Sequence, residues 1–198
     1  MADSIEERLA ELEAKVKELE DIRAINEVFR SWHHACTGGF DEKQAGRPEA
    51  LNVLSDDATI EIKGLHKPGE GPRGREEVQK YWDYYYGDKG PLPRVFQTSL
   101  DQHIEVDGDT AVQESNQIIV FEFRGHEPVF GISHRTNDLV RTPDGWKLRK
   151  STDDGGFTFN TNPLMGRLNN IEPYELREEW KRNPDDPTGH EFNKAVDD

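Results

Sequence analysis

The chain has 198 residues, of which 33% are apolar and 33% charged, with a formal net charge of −15. This length suits one core domain with extensions, because two separate cores would each be small and marginally stable. The acidic balance and the absence of Lys/Arg runs longer than two argue against nucleic-acid or anionic-membrane partners.

Cysteine content and hydropathy indicate a cytoplasmic protein. Cys36 is the sole cysteine, so no disulfide forms within the chain, and the charged N-terminal residues do not resemble a signal segment. The longest uninterrupted apolar stretch, 118–121, is far shorter than the ~20 residues of a membrane helix. We therefore expect no membrane span.

A 4-3-4-3 spacing of apolar residues predicts a helix at the N-terminus: Ile5, Leu9, Leu12, Val16 and Leu19. About two heptads are too short for a stable isolated coiled coil. The stripe therefore packs either on the chain's own core or on a second copy. We treat residues 1–20 as a helical leader and expect a homodimer or higher homo-oligomer.

The helical pattern continues to about Cys36, where Gly38 and Gly39 stop it. Pro48 starts a predicted short second helix, and residues 58–63 alternate as in a β-strand. Residues 75–86 predict a third helix with an aromatic inner face.

Turn chemistry at residues 107–108, 125–128 and 143–145 divides the following segment into four strands of an antiparallel meander. Helices first and hairpins afterwards predict an α+β fold, with three helices packed on one face of a curved antiparallel sheet. We place this domain at 21–155. Residues 156–198 are polar, with one predicted short helix at 173–182, and form a C-terminal extension on the surface or against a neighbouring chain.

Five segments in order resemble the SnoaL-like branch of the nuclear-transport-factor-two-like superfamily: 19–25, 54–60, 74–78, 104–111 and 135–148. The resemblance covers about residues 18–152. It implies a cone-shaped fold around a deep pocket. Members such as bile-acid 7α-dehydratase, scytalone dehydratase and hexachlorocyclohexane dehydrochlorinase are lyases that remove a proton and a leaving group.

The resemblance further implies a His general base held by a carboxylate. The position matching the family's His carries Gln97, and His103 shares its strand face by even spacing, unless a bulge intervenes. The matching carboxylate is Asp41 if four residues are inserted, whereas an ungapped alignment gives Thr37. His34, at the end of the first helix, is a second candidate base, although a helix-terminal or strand His is more commonly structural.

The candidate catalytic residues are thus His34, Asp41, His103 and Arg135. Arg135 stands where the dehydratases tend to have Tyr, and a cation suits an anionic or enolate-forming substrate. The expected binding walls are aromatic and amide side chains, although aromatic residues at helical spacing are more often core. They are Trp32, Trp82, Phe96, Gln97, Asn116, Phe121 and Asn137.

No metal site is expected, because the adjacent His33 and His34 cannot easily face one ion from the same helix. The loop at 69–74 contains a proline and a carboxylate where a phosphate-binding loop needs converging backbone amides. We therefore expect no nucleotide cofactor. The hypothesis is a cofactor-independent dehydratase-type lyase acting on a hydrophobic carbonyl-bearing small molecule. Isomerase or cyclase chemistry and non-catalytic ligand binding are the alternatives.

Overall fold

The computed structural model describes residues 4–40, 43–63, 66–86 and 89–160. Asp41 and most of the predicted C-terminal extension, including the helix expected at 173–182, lie outside the described residues. The elements in chain order are α1 (Ile5–Cys36), a 3₁₀ helix (Pro48–Val53), β1 (Leu54–Ile62), α2 (Gly74–Tyr86), β2 (Arg94–Asp107), β3 (Thr110–Glu122), β4 (Val129–Thr142) and β5 (Gly145–Asn160).

Helix α1 is one continuous element of 32 residues. A capping box starts it, since the Ser4 hydroxyl accepts from the Glu7 amide and the Glu7 carboxylate accepts from the Ser4 amide. Its side chains are exposed through residue 20, and burial begins at Asp21. The helix ends at the predicted place, where Thr37 caps it and Gly38 follows.

The predicted α+β class is confirmed, with one difference in strand direction. The five-stranded sheet has the order β1-β5-β4-β3-β2. Strands β2 to β5 form the predicted antiparallel meander, but β1 pairs with β5 in parallel. The sheet is mixed because β1 lies beside β5, at the opposite edge from β2, and runs in the same direction as β5. The predicted second helix is a single 3₁₀ element started by Pro48.

The core lies between the second half of α1, α2 and the inner face of the sheet. Its buried apolar residues from the helices include Ile25, Phe29, Trp32, Val78 and Trp82. Those from β4 and β5 include Leu139, Trp146 and Leu148. Within the described ranges, no helix is both long and apolar enough to cross a membrane.

Asp21 fixes α1 to the sheet at the point where the helix becomes buried. Its Oδ2 accepts from Arg141 Nη2 at 2.7 Å and from Lys17 Nζ at 3.0 Å, and its Oδ1 accepts from Trp146 Nε1 at 3.1 Å. The Arg141 guanidinium also stacks on the Trp146 ring, 4.4 Å from the centroid. These donors, Arg141 foremost, hold the pKa of Asp21 well below its usual range.

Replacing Asp21 with Asn should lower the free energy of unfolding by about 2 kcal/mol at neutral pH, because Arg141 and Trp146 lose a buried ionised acceptor. Because the pKa of Asp21 is lower in the folded than in the unfolded protein, its carboxylate stabilises the fold fully above the unfolded-state pKa of about 4. That stabilisation is lost as the pH falls below this value toward the folded-state pKa. Urea denaturation at pH 7 and pH 3 should therefore show the difference from wild type shrinking in acid. The exposed neighbour Glu18→Gln is the control, and an equal deficit at both pH values would contradict this assignment.

Candidate active site

A cavity of about 550 Å³ opens between the helices and the inner face of the sheet. Its helical side is aromatic: Trp32 of α1 and Tyr81, Trp82, Tyr85 and Tyr86 of α2. Trp32 and Trp82 meet edge to face with ring centroids 5.3 Å apart. The Trp82 indole donates to the Gly46 carbonyl at 2.7 Å, so this wall is held in a fixed orientation.

An ion pair lies on the opposite wall. Arg135 of β4 and Asp153 of β5 are directly opposed in the strand pairing, with Arg135 Nη2 3.2 Å from Asp153 Oδ2. Their side chains are only 12% and 13% exposed. The Ser133 hydroxyl donates to the same oxygen at 2.8 Å, and the Gly155 amide donates to Oδ1 at 3.0 Å. The Asp153 carboxylate is therefore held by three donors at the cavity surface.

Tyrosine hydroxyl groups are the third kind of functional group in the wall. The rings of Tyr81 and Tyr85 pack in a tilted arrangement with centroids 4.6 Å apart. Burial, together with the neighbouring Tyr85, raises the pKa of Tyr81 well above its usual value. Burial likewise raises the pKa of Tyr86. These hydroxyl groups stay protonated at neutral pH and can donate hydrogen bonds to a ligand.

The structure brings five of the residues singled out from the sequence to the cavity wall: Trp32, Trp82, Gln97, Phe121 and Arg135. Their side chains alternate inward along the strands or lie on the buried helix faces, as the periodicity predicts. The Gln97 side chain is 7% exposed, and its backbone amide donates to the Thr37 hydroxyl at 3.2 Å.

Three other binding candidates lie elsewhere. Phe96 is 44% exposed on the outer face, because the alternation that turns Gln97 inward turns its neighbour outward. Asn116 is exposed for the same reason, between buried Ser115 and Gln117. Asn137 is buried but does not line the cavity. Its amide donates to Gln113 Oε1 at 2.5 Å.

Neither candidate base lies in the cavity wall. His34 is exposed at the end of α1, where its carbonyl accepts from Arg47 and its ring lies 3.3 Å from the same guanidinium. His103 is exposed and contacts Glu105 at 3.1 Å. A bulge between Leu100 and His103, with Asp101 at a positive φ of 48°, breaks the alternation that would have turned His103 inward.

His33 and His134 lie near the site without entering its wall. His33 Nε2 lies 3.3 Å from the Ser99 hydroxyl under α1, and burial, reinforced by Arg135, lowers the pKa of His33 to about 4. His134 is exposed, with Nδ1 3.3 Å from the Asp154 carboxylate at the cavity rim. In the part of the chain that the structure describes, no three His, Cys, Asp or Glu side chains converge as a metal site requires.

Sequence reasoning did not identify Asp153. Its neighbourhood, Ser151 to Gly156, reads as the polar end of a strand, and only the pairing with β4 shows that the carboxylate faces inward next to Arg135. Counting every second residue from the inward-facing Leu148 would place the even-numbered residues of β5 on the inner face. A register shift between Asp138 and Leu139 instead turns Asp153 inward.

Solved structures share this architecture. A proposed scytalone dehydratase from Novosphingobium aromaticivorans is 13% identical, with a TM-score of 0.61, and the match covers 82% of this chain and 93% of that one. A hexachlorocyclohexane dehydrochlorinase of type 3 from Novosphingobium barchaimii is 12% identical, with a TM-score of 0.60 and coverages of 82% and 99%. A proposed aromatic ring hydroxylase from N. aromaticivorans is 18% identical, with a TM-score of 0.60 and coverages of 72% and 94%.

At such identities these similarities establish the fold. No curated protein matches significantly. The model of the SnoaL-like domain matches residues 17–152, a range that contains the buried half of α1, all of α2 and strands β1 to β4. Since that match spans well over half of the 198 residues, the chain belongs to the SnoaL-like family.

Proposed function

We propose that this protein is a cofactor-independent lyase of the dehydratase type, acting on a hydrophobic carbonyl-bearing small molecule inside the cavity. The Arg135–Asp153 pair in an otherwise largely apolar wall carries the proposal. It supplies a proton acceptor and a cation side by side. The single cysteine, buried Cys36, is compatible with the cytoplasmic location that we include in the proposal.

The cavity favours a flat apolar ligand. Its volume of about 550 Å³ falls within the ~300–1,000 Å³ range of small-molecule pockets. Aromatic rings of α2 face Ile119 and Phe121 of β3 across it. Such walls provide contact area but do not orient the polar groups of a ligand. Arg135 and the tyrosine hydroxyls would therefore orient its carbonyl or hydroxyl oxygen.

In the proposed reaction, the Asp153 carboxylate accepts a proton from the carbon next to the carbonyl. Arg135 donates to the carbonyl oxygen and stabilises the negative charge that develops there. The electron pair of the broken C–H bond forms the new double bond as the hydroxyl on the next carbon departs. That hydroxyl accepts a hydrogen bond from Tyr81 and leaves, with the proton taken by Asp153, as water.

The family and two similar structures support elimination chemistry. One of those structures is named as a proposed scytalone dehydratase and another as a dehydrochlorinase. The same parts would serve an isomerase or a cyclase, in which the enolate is reprotonated or attacks a second carbon. An elimination through an enolate and an enolate-forming isomerisation both begin by removing a proton from the carbon next to the carbonyl. Exchange of that hydrogen with solvent therefore reports the step that the two reactions share.

Non-catalytic ligand binding is the second candidate function. It is favoured by Gln97, which occupies the position expected for the family's His, and by a cavity wall in which the described residues include no His. A binding protein would need the aromatic walls and Arg135 but no proton acceptor. The two functions therefore differ in what they require of Asp153.

Replacing Asp153 with Asn should reduce α-hydrogen exchange at least ~100-fold, because the amide cannot accept the proton. Exchange would be followed by mass spectrometry in D₂O with a panel of aromatic, polyketide and steroid β-hydroxy ketones. Binding would be followed by quenching of Trp32 and Trp82 fluorescence. Asp138→Asn, on the outer face of β4, is the matched control. Ligands that quench the fluorescence but exchange no hydrogen with wild type would favour the binding function.

Replacing Arg135 with Met should lower kcat by about 10²–10³-fold with a smaller effect on KM, because the cation acts mainly on charge that develops in the transition state. The exposed Arg75→Met on α2 is the matched control. A rise in KM alone would assign Arg135 to substrate binding and contradict its role in oxyanion stabilisation.

A further inference from the structure

The first part of α1, Ser4–Glu20, projects from the domain with an uncovered apolar stripe. We call this segment the leader. All of its side chains are exposed, and no described part of the chain packs against the stripe. The five stripe residues are between 53% and 86% exposed: Ile5, Leu9, Leu12, Val16 and Leu19. A contiguous apolar stripe of this kind marks an interaction surface.

The charges beside the stripe are sorted by sign. In a heptad frame, Leu9 and Val16 occupy the a positions, and Ile5, Leu12 and Leu19 the d positions. The adjoining e positions are all acidic: Glu6, Glu13 and Glu20. On the opposite side, the two g positions within the leader are basic: Arg8 and Lys15.

This sorting defines a partner and its direction. In a parallel, in-register pair of leaders, each g residue meets the e residue of the partner's next heptad. Arg8 would face Glu13 of the second copy, and Lys15 would face Glu20. An antiparallel pair would instead bring glutamate against glutamate and base against base. We propose that the stripe is covered by the leader of a second copy, parallel and in register.

The shortness of the leader is offset by its attachment to the domain. Helix formation in a free peptide of this length is limited by nucleation, but α1 continues without a break into its buried half. The contacts of Asp21 with Arg141 and Trp146 fix the helix where it leaves the domain. Association therefore joins helices that are already formed. A membrane surface fits less well, because interfacial helices are rich in Lys and Arg whereas this leader is mainly acidic.

Cysteine cross-linking of the full chain tests the arrangement. The native Cys36 is buried, so introduced cysteines report alone. Under mild oxidation, Ile5→Cys should convert mostly to a disulfide-linked dimer. Ala14→Cys, at the f position on the far side of the helix, is the control and should stay largely monomeric on a non-reducing gel. In an equimolar mixture, Ile5→Cys and Leu19→Cys should each link to themselves and yield little of the mixed product.

Charge exchange tests the specificity. Adding Glu13→Lys and Glu20→Lys to Ile5→Cys should reduce its cross-linking several-fold, and further adding Arg8→Glu and Lys15→Glu should restore it. Predominant mixed linkage between positions 5 and 19 would show an antiparallel arrangement and overturn the proposal. Cross-linking of Ile5→Cys no faster than that of Ala14→Cys would also overturn it. Neither readout depends on catalysis, so the proposal stands or falls separately from the proposed function.

Discussion

The ion pair between Arg135 and Asp153 is the interaction on which the character of the cavity depends. Both side chains are nearly removed from water, and unpaired charges in such a place would be strongly destabilising. The Ser133 hydroxyl and the Gly155 amide occupy further acceptor sites of the carboxylate. Because adjacent strands carry the two charges, their separation is set by the pairing of the sheet, and an ion pair persists inside a mainly apolar space.

Much of this arrangement follows from local patterns in the sequence. Helical spacing predicts the buried faces of α1 and α2, and turn residues predict the meander. The inward positions of Trp32, Trp82, Gln97 and Arg135 follow from the same periodicities. The order of elements predicts the α+β class. The parallel pairing of β1 with β5 joins two strands that are far apart in the sequence, and no local pattern encodes it.

The rest of the site depends on two irregularities of register. The turn between β4 and β5 pairs Leu139 with Leu148. A regular antiparallel register extended from that pair would place Thr152 opposite Arg135. A shift between Asp138 and Leu139 places Asp153 there instead. Similarly, the bulge near Asp101 turns His103 outward. Since a slip of one residue exchanges the two faces of a strand, such bulges change the chemistry of a cavity while leaving the fold intact, and alternation alone does not locate them.

We propose that Arg135 and Asp153 together receive the reacting part of a ligand. A crystal structure with a bound phenol, whose oxygen mimics that of an enolate, would probe this role without intermediate assumptions. We expect the ring between β3 and the aromatic residues of α2, with its oxygen within hydrogen-bond distance of the Arg135 guanidinium and an adjacent ring carbon facing the Asp153 carboxylate. A phenol bound with its oxygen away from Arg135, or bound outside the cavity, would contradict it.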